Sequence, residues 1–302
     1  FDATDLKQPR SKLTNAPLSL KKTKHWFLLL DKLKEPLQEW IQRKNWKPNV
    51  SKFVLNYIDD LRPRAITRDL EWGVPVPLKE AEGKVLYVWF DAPIGYISAS
   101  IEWAKLEGNP DLWKEFWLEP STKLVNFIGK DNIPFHSVIF PAMIMGQDKP
   151  FKLVDELPAN EFLTLEGKQF SKSDGWTIDL QRFFDRYTSD QIRYTLAANA
   201  PETGDSEFSW KDFQQRCNTE LLGKFGNLVN RTLIFARNNC AYTIPAKKEA
   251  QAIDEEFLAQ IKDLVTASQA AYSSFKLRKA SQIIMELAQL GNVYFDRKKP
   301  WV

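Results

Sequence analysis

The sequence predicts two architectures in succession, an α/β part with parallel strands up to about residue 180 and an α-helical bundle after it. Two nearly continuous apolar runs, residues 84–90 and 123–129, are typical of strands buried on both faces of a parallel sheet. Apolar residues at helical spacing follow each run, and beyond residue 180 only helical spacing recurs. This order indicates an open α/β sheet, whose ligands lie beyond the carboxyl ends of its strands.

Each element is predicted from its apolar spacing. Before the sheet, the spacing predicts a strand over 24–31 and helices over 32–45 and 51–61. In the α/β part, helices are predicted over 94–106 and 133–145. In the bundle, the predicted helices cover residues 180–187, 189–198, 210–238, 253–273 and 275–298.

The composition excludes several kinds of site. The 302 residues are 43% hydrophobic with a net charge of +3, so a core is expected and no global charge indicates a polyanionic partner. The only histidines, His25 and His136, exclude a three-imidazole metal site. Cys217 and Cys240 form no disulfide framework, which fits a cytoplasmic location. No apolar run reaches the eighteen or so residues of a membrane span.

The segment Asp91–Tyr96 follows the first apolar run and is predicted to begin a helix. Free N–H groups and the positive end of the helix dipole attract anions at such a position. Ala92 and Gly95 leave the backbone accessible, and Trp89 and Tyr96 supply aromatic walls. The alternative is an ordinary corner between a strand and a helix, with its aromatic side chains in the core.

The segment Gly129–Asp131 follows the second run, and His136 comes five residues after Asp131. A carboxylate just past a parallel strand can bind the hydroxyls of a ribose, and a neighbouring glycine lets the sugar approach the backbone. His136 is about one and a half turns into the next helix and can face the same crevice. The alternative is a histidine that only packs within its helix.

The segment Gly167–Gly175 is a polar loop before a helix. It contains Lys168, Ser171, Lys172 and Ser173 between glycines. A mobile cationic loop of this kind suits a polyphosphate whose charge grows in a transition state. The spacing of a Walker loop is absent, and a plain surface turn is the alternative.

Together and in this order, the three segments resemble the methionyl-tRNA synthetases, a family of class I aminoacyl-tRNA synthetases. Residues Tyr87–Tyr96 and Phe127–Ser137 are similar to two signature segments of that family, and Phe170–Ser173 is similar to the end of its Lys-Met-Ser-Lys-Ser loop. The resemblance extends over nearly the whole chain. It implies that residues 1–62 end a connective insertion and that residues 63–180 form the second half of a Rossmann-like nucleotide-binding fold. Residues 181–302 would then hold stem-contact helices and an α-helical anticodon-binding bundle.

The resemblance also implies an activity. Members of the family activate methionine with ATP and Mg²⁺ and then transfer the methionyl group to tRNA(Met). The implied methionine-binding residues are Trp89, Ala92, Pro93, Tyr96, His136 and Phe140. The implied ATP-binding residues are Gly129, Asp131, Leu163, Ser171 and Lys172, with Lys172 and Lys168 as the catalytic cations. The implied anticodon-binding residues are Asn227, Arg231, Asn292, Pro300 and Trp301.

The sequence departs from the family pattern at several points. Gln169 occupies the first lysine position of the loop, with Lys168 one step earlier, and Phe170 replaces its methionine. Phe140 stands where some relatives carry a tryptophan. The His-Ile-Gly-His motif and the zinc-binding cysteines of the insertion are missing. We therefore expect a carboxyl-terminal fragment that lacks the amino-terminal half of the catalytic domain, binds no zinc and is catalytically incomplete alone.

Two other functions stay open. A non-catalytic tRNA-binding module would use only the bundle, and a class I synthetase for leucine, isoleucine, valine or cysteine would share the fold class. The segment Asp91–Tyr96 and the ending Pro300–Trp301 argue against the second alternative. The expected partners are methionine, ATP and tRNA(Met), with no membrane.

Overall fold

A computed structural model describes residues 10, 16–19, 22–241, 243–246 and 249–301. Part of the expected connective insertion, residues 1–9, 11–15 and 20–21, lies outside the described residues. The chain divides into two compact units, each discontinuous in sequence. The first comprises Phe1–Asn45, Ser51–Leu124 and Pro134–Asp155, and the second comprises Trp46–Val50, Val125–Ile133 and Glu156–Val302.

The first unit contains short antiparallel strand pairs and helices. Strand β1 (Phe27–Leu28) pairs with β2 (Arg64–Ala65), and β3 (Thr67–Arg68) pairs with β4 (Val85–Leu86). The helices are α1 (Lys34–Gln42), α2 (Pro48–Asp59, which begins in the sequence of the second unit), α3 (Val88–Asp91), α4 (Gly95–Leu106), α5 (Trp113–Trp117) and α6 (Phe140–Met145). The helices predicted before and after the first apolar run are confirmed by α1, α2 and α4.

The strand predicted over residues 84–90 is wrong for most of its length. Only Val85–Leu86 is paired, and its partner β3 is antiparallel rather than parallel. Helix α3 begins at Val88, and the side chains of Val88 and Trp89 are 51% and 44% exposed. A short apolar run does not distinguish a buried strand from the start of a helix, which is the reason for the error.

The segment Asp91–Tyr96 contains the start of α4 at Gly95, but it does not lead from a strand into a helix. It lies within helical backbone, because α3 leads through a 3₁₀ turn at Ala92–Ile94 into α4. The N–H of Ala92 donates to the carbonyl of Val88, and the N–H of Gly95 donates to the carbonyl of Ala92. These N–H groups are consequently occupied, and the anion-binding role suggested for them is wrong.

The core of the first unit joins α4, α5 and α6. Its most buried members are Ile97, Trp117, Phe140 and Ile144. The indole N–H of Trp117 donates to Ser100 Oγ at 2.9 Å, so the ring is buried with its polar atom satisfied. This packing holds α4 and α6, which carry candidate site residues, in a fixed arrangement.

The second unit contains the parallel strands. Strand β5 (Ile128–Gly129) pairs with β6 (Ala159–Asn160), and β7 (Leu163–Leu165) pairs with β8 (Ser206–Phe208), both in parallel. A further parallel bridge joins Val125 to Glu156. The parallel strand predicted over residues 123–129 is thus confirmed in direction, although the paired part is shorter.

The remainder of the second unit is helical, as predicted. Its helices are α7 (Leu180–Arg186), α8 (Ser189–Ala198), α9 (Trp210–Gln215), α10 (Asn227–Asn239), α11 (Ala252–Ser273) and α12 (Leu277–Lys298), with a π-helix at Arg216–Gly226. Local capping explains the first boundaries, because Asp179 Oδ1 accepts from the N–H of Arg182 and Thr188 forms a capping box with Gln191. No helix in the described ranges is both long and apolar enough to cross a bilayer.

Candidate functional site

Three of the six predicted methionine-binding residues form one cluster in the first unit. Tyr96 Oη lies 2.9 Å from His136 Nε2, and the ring centroids of Tyr96 and Phe140 are 6.2 Å apart. His136 is only 7% exposed and lies in the π-helix Phe135–Ile139, a widened turn that often occurs at functional sites. Phe140 also packs edge-on against Trp117 of the core. Core packing therefore sets the position of Phe140, and Tyr96 contacts both Phe140 and the buried His136.

The other predicted methionine residues lie on α3 and the turn after it. Trp89 is 44% exposed, and its ring centroid is 5.1 Å from that of Phe135, which directly precedes His136 in the sequence. Pro93 is buried, and Ala92 is exposed. Phe135 was not singled out from the sequence, because it follows no local pattern that separates it from its apolar neighbours. The arrangement offers aromatic walls and one tyrosine–histidine pair, which suits an apolar ligand with few polar atoms.

A buried acceptor lies near Trp89 in sequence. Asp91 Oδ1 is buried and has no hydrogen-bond partner among the described residues, which is costly for a carboxylate oxygen. Asp91 lines a largely apolar cavity of 450 Å³ together with Arg68 and Tyr87. No sequence pattern indicates this feature, because the burial of one oxygen depends on tertiary packing.

The predicted ribose-binding residues lie at the end of β5 in the second unit. The strand ends at Gly129, and a 3₁₀ turn at Lys130–Asn132 follows and presents Asp131 to solvent. No described atom lies within 4 Å of the position that a Cβ on Gly129 would take. Leu163, the predicted adenine contact, is the first residue of β7. The space beside Gly129 is thus open to a ligand.

The predicted catalytic loop is a closed hairpin. Ser171 and Trp176 exchange two backbone hydrogen bonds of 2.9 Å, and Ser171 Oγ donates to Asp174 Oδ2 at 2.8 Å. Gly167 and Gly175 adopt φ values of +76° and +67°, which side chains with a Cβ rarely tolerate.

The two lysines of the hairpin differ in their surroundings. Lys172 is exposed within the turn. The ammonium of Lys168 lies 5.0 Å from the ring centroid of Trp176, whose indole N–H donates to the carbonyl of Leu165. The sequence predicts no role for Trp176. Its indole binds the backbone at Leu165 and its own backbone pairs with Ser171, so it holds the hairpin closed.

The predicted anticodon-binding residues lie on α10, α12 and the turn after α12. Asn227 Nδ2 donates to Asn292 Oδ1 at 3.1 Å. Helices α10 and α12 approach closely at Gly291, where an added Cβ would lie only 2.6 Å from Leu228. Arg231 is paired with Asp296, and this hydrogen bond raises the pKa of the guanidinium and lowers that of the carboxyl.

An aromatic side chain extends this arrangement toward the last described residues. The guanidinium of Arg231 lies 4.8 Å from the ring centroid of Phe295, which is 5.8 Å from that of Trp301. Trp301 and Pro300 are exposed. Phe295 and Asp296 were missed in the sequence, because their partners are remote along the chain.

The described residues offer no candidate metal site. Nowhere in the described ranges do three His, Cys, Asp or Glu side chains stand close enough together to hold a metal ion. We therefore assign no residue to Mg²⁺.

Comparison with known proteins gives consistent matches. The family model described as tRNA synthetases class I (M) matches residues 1–233. The chain is 68% identical to the methionine–tRNA ligase of Protochlamydia amoebophila (strain UWE25) over 100% of its own length and 43% of that protein. It is 53% identical to the methionine–tRNA ligase of Chlamydia caviae, again over its full length and 54% of the relative. The chain thus spans about half the length of these relatives.

A solved structure shares the fold. The methionyl-tRNA synthetase of Mycobacterium tuberculosis bound by methionyl-adenylate aligns with a TM-score of 0.84 and 25% identity, covering 100% of this chain and 59% of that one. The expected fold class, a Rossmann-like α/β part with a large helical part, is confirmed at this level, and the resemblance to the methionyl-tRNA synthetases is confirmed with it. Matched by the family model over residues 1–233, the chain belongs to the class I (M) tRNA synthetases.

Proposed function

We propose that the full-length protein carrying this chain activates methionine with ATP and transfers the methionyl group to tRNA(Met). The observation that carries the proposal is the partly buried Tyr96–His136 hydrogen bond beside Phe140, in a chain 68% identical to a methionine–tRNA ligase. Aromatic rings attract a polarisable thioether by about 0.3–1.5 kcal/mol per contact, so these walls favour methionine over a branched aliphatic side chain. The remaining proposed methionine contacts are Trp89, Ala92 and Pro93.

The proposed ATP site lies in the second unit. Asp131 and the backbone at Gly129 bind the ribose hydroxyls, and Leu163 contacts adenine. Ser171 and Lys172 face the phosphates, and the exposed ammonium of Lys172 offsets charge that develops on the α-phosphate and the departing pyrophosphate. Mg²⁺, when bound with ATP, supplies further positive charge at the phosphates.

We expect the chain by itself to be unable to activate methionine. Its two histidines, His25 and His136, are not spaced as the paired histidines of class I synthetases that stabilise the ATP phosphates. The missing contacts would come from the part of the relatives that this chain does not match. Because its substrates are those of translation, we infer that the protein acts in the cytoplasm.

The proposed anticodon site combines stacking with hydrogen bonding. Trp301 and Pro300 offer exposed apolar faces, and Arg231, Asn227 and Asn292 offer polar groups held by neighbouring helices. Unstacked bases of single-stranded RNA are recognised by this combination of residue types.

Aminoacylation of a tRNA(Met) transcript with labelled methionine by the full-length protein tests the proposed function. We expect charging that requires ATP, and no charging of a transcript whose CAU anticodon is replaced. For the anticodon site, Trp301→Ala should weaken tRNA binding by about 1–3 kcal/mol, because one base loses its stacking partner. Equal binding by Trp301→Ala and the wild type would refute the anticodon site, and failure to charge would refute the function.

A further inference from the structure

Lys130 makes a three-way contact that the proposed function does not use. Its Nζ lies 2.9 Å from Glu161 Oε2, 2.9 Å from Asp205 Oδ1 and 4.0 Å from the ring centroid of Phe162. Lys130 follows β5, Glu161 follows β6, and Asp205 precedes β8. One side chain therefore connects the ends of both parallel strand pairs.

Both carboxylates are themselves fixed. Asp205 Oδ1 accepts from the N–H of Phe162 at 3.0 Å, and Glu161 Oε1 accepts from Asn49 Nδ2 at 3.0 Å. The hydrogen bond with Asp205 raises the pKa of Lys130, and the same bond lowers the pKa of Asp205. The ammonium is therefore held charged between anchored partners.

The charge balance argues against a role for Lys130 as a phosphate ligand. With one ammonium and two ionised carboxylates, the cluster of Lys130, Glu161 and Asp205 has a net charge of −1, which repels a polyphosphate. The lysine side chain is 29% exposed, and its donors point at the two carboxylates rather than away from the protein.

The position of Lys130 in the sequence gives the cluster a consequence for the nucleotide. Lys130 lies between Gly129 and Asp131, the proposed ribose contacts, and Phe162 beneath its ammonium precedes Leu163, the proposed adenine contact. Any shift of the turn Lys130–Asn132 relative to β7 would move the ribose contacts away from the adenine contact.

We propose that Lys130 is a positioning residue for the nucleotide: by binding Glu161 and Asp205 it fixes the turn that carries Asp131 at a set distance from Leu163. The inference rests on the proposed function, because it assumes that Asp131 and Leu163 bind ATP. A misplacement of about 1 Å is enough to reduce a reaction rate by about a hundredfold, so a loosened turn should be measurable.

The test uses the full-length protein with Lys130→Met and Lys130→Arg. We expect Lys130→Met to raise the KM for ATP and the Kd of a non-hydrolysable ATP analogue by about tenfold, with little change in the KM for methionine. Lys130→Arg keeps the charge and the donors and should recover most of the loss. Hydrogen exchange of the amides of residues 128–133 should be faster in Lys130→Met than in the wild type.

Lys152→Met is the matched control. Lys152 is also ion-paired, with Asp155 Oδ2 at 3.2 Å, and donates to the carbonyl of Pro120, but it lies in the first unit. The Lys152→Met variant should leave ATP binding and amide hydrogen exchange at residues 128–133 unchanged.

Each outcome decides the proposal. Unchanged ATP binding and unchanged exchange in Lys130→Met would overturn the positioning role while leaving the proposed function intact. An equal loss of affinity for the ATP analogue in Lys152→Met would mean that the effect of Lys130→Met is general destabilisation, and it would also overturn the positioning role. A wild-type protein that does not bind the ATP analogue would refute the nucleotide site itself, and the inference with it.

Discussion

The proposed methionine site and the proposed nucleotide site are built in different ways. In the first unit, Tyr96, His136 and Phe140 are held by ring packing and one partly buried hydrogen bond. In the second unit, Asp131 and Lys172 lie on exposed turns after strands, and polar contacts of their neighbours hold those turns. Under the proposed function, selection of the amino-acid side chain would depend on groups packed against the core, whereas phosphate chemistry would depend on exposed turns.

The largest effect is expected where the site and the core coincide. Phe140→Ala removes a ring that is 4% exposed and should destabilise the protein by about 3–5 kcal/mol while raising the KM for methionine. Thermal unfolding and steady-state kinetics measure the two effects. Phe184→Ala, at a ring that is 52% exposed, is the control and should change stability little. Equal destabilisation by the two variants would show that Phe140 is not a core residue.

The next effect separates catalysis from stability. Lys172→Ala should slow methionine-dependent pyrophosphate exchange by about 10²–10³-fold, because it removes one positive group that faces the transition state. The unfolding temperature should stay the same, since Lys172 is exposed. Lys211→Ala, at another exposed lysine, should leave both quantities unchanged. A rate equal to that of the wild type would contradict the role of Lys172.

A smaller effect is expected from the partly buried hydrogen bond between Tyr96 and His136. Tyr96→Phe leaves His136 Nε2 without its tyrosine partner and should cost about 1–3 kcal/mol of stability. Chemical denaturation compares it with Tyr272→Phe, a tyrosine of similar exposure (50% against 48% for Tyr96) whose hydroxyl has no hydrogen-bond partner among the described residues, so little change is expected. If both variants unfold at the same denaturant concentration as the wild type, the Tyr96–His136 bond does not stabilise the protein.

The smallest effect concerns the second predicted catalytic lysine. Lys168 lies over Trp176, and an exposed contact of this kind contributes about 0.5–1 kcal/mol, so Lys168→Met should slow exchange by only about two- to fivefold. Lys168→Arg preserves the cation and is the control. A loss of exchange rate in Lys168→Met as large as that in Lys172→Ala would contradict this and indicate that Lys168 acts at the phosphates.

Local signals made the helical part predictable. Caps such as Asp179 and Thr188 and apolar residues at helical spacing specify α7 and α8 within a few residues of chain. The strand predicted over residues 84–90 was wrong because apolar content alone does not determine whether Val88 continues a strand or begins a helix.

The proposed site residues show the same difference between what local sequence predicts and what depends on tertiary contacts. Family-like segments predict Tyr96, His136 and Asp131 as site residues, and these assignments stay predictions. The contacts that hold such residues in place could not be predicted from the sequence. Lys130 and Asp205, for example, are 75 residues apart and share no sequence pattern.

Pyrophosphate exchange by the full-length protein, measured with each of several amino acids, tests the central claim most directly. We predict exchange that depends on methionine and is near background with leucine, isoleucine, valine or cysteine, because the aromatic walls at Tyr96 and Phe140 favour a thioether. Exchange that is absent with methionine, or faster with one of the other four, would contradict the account.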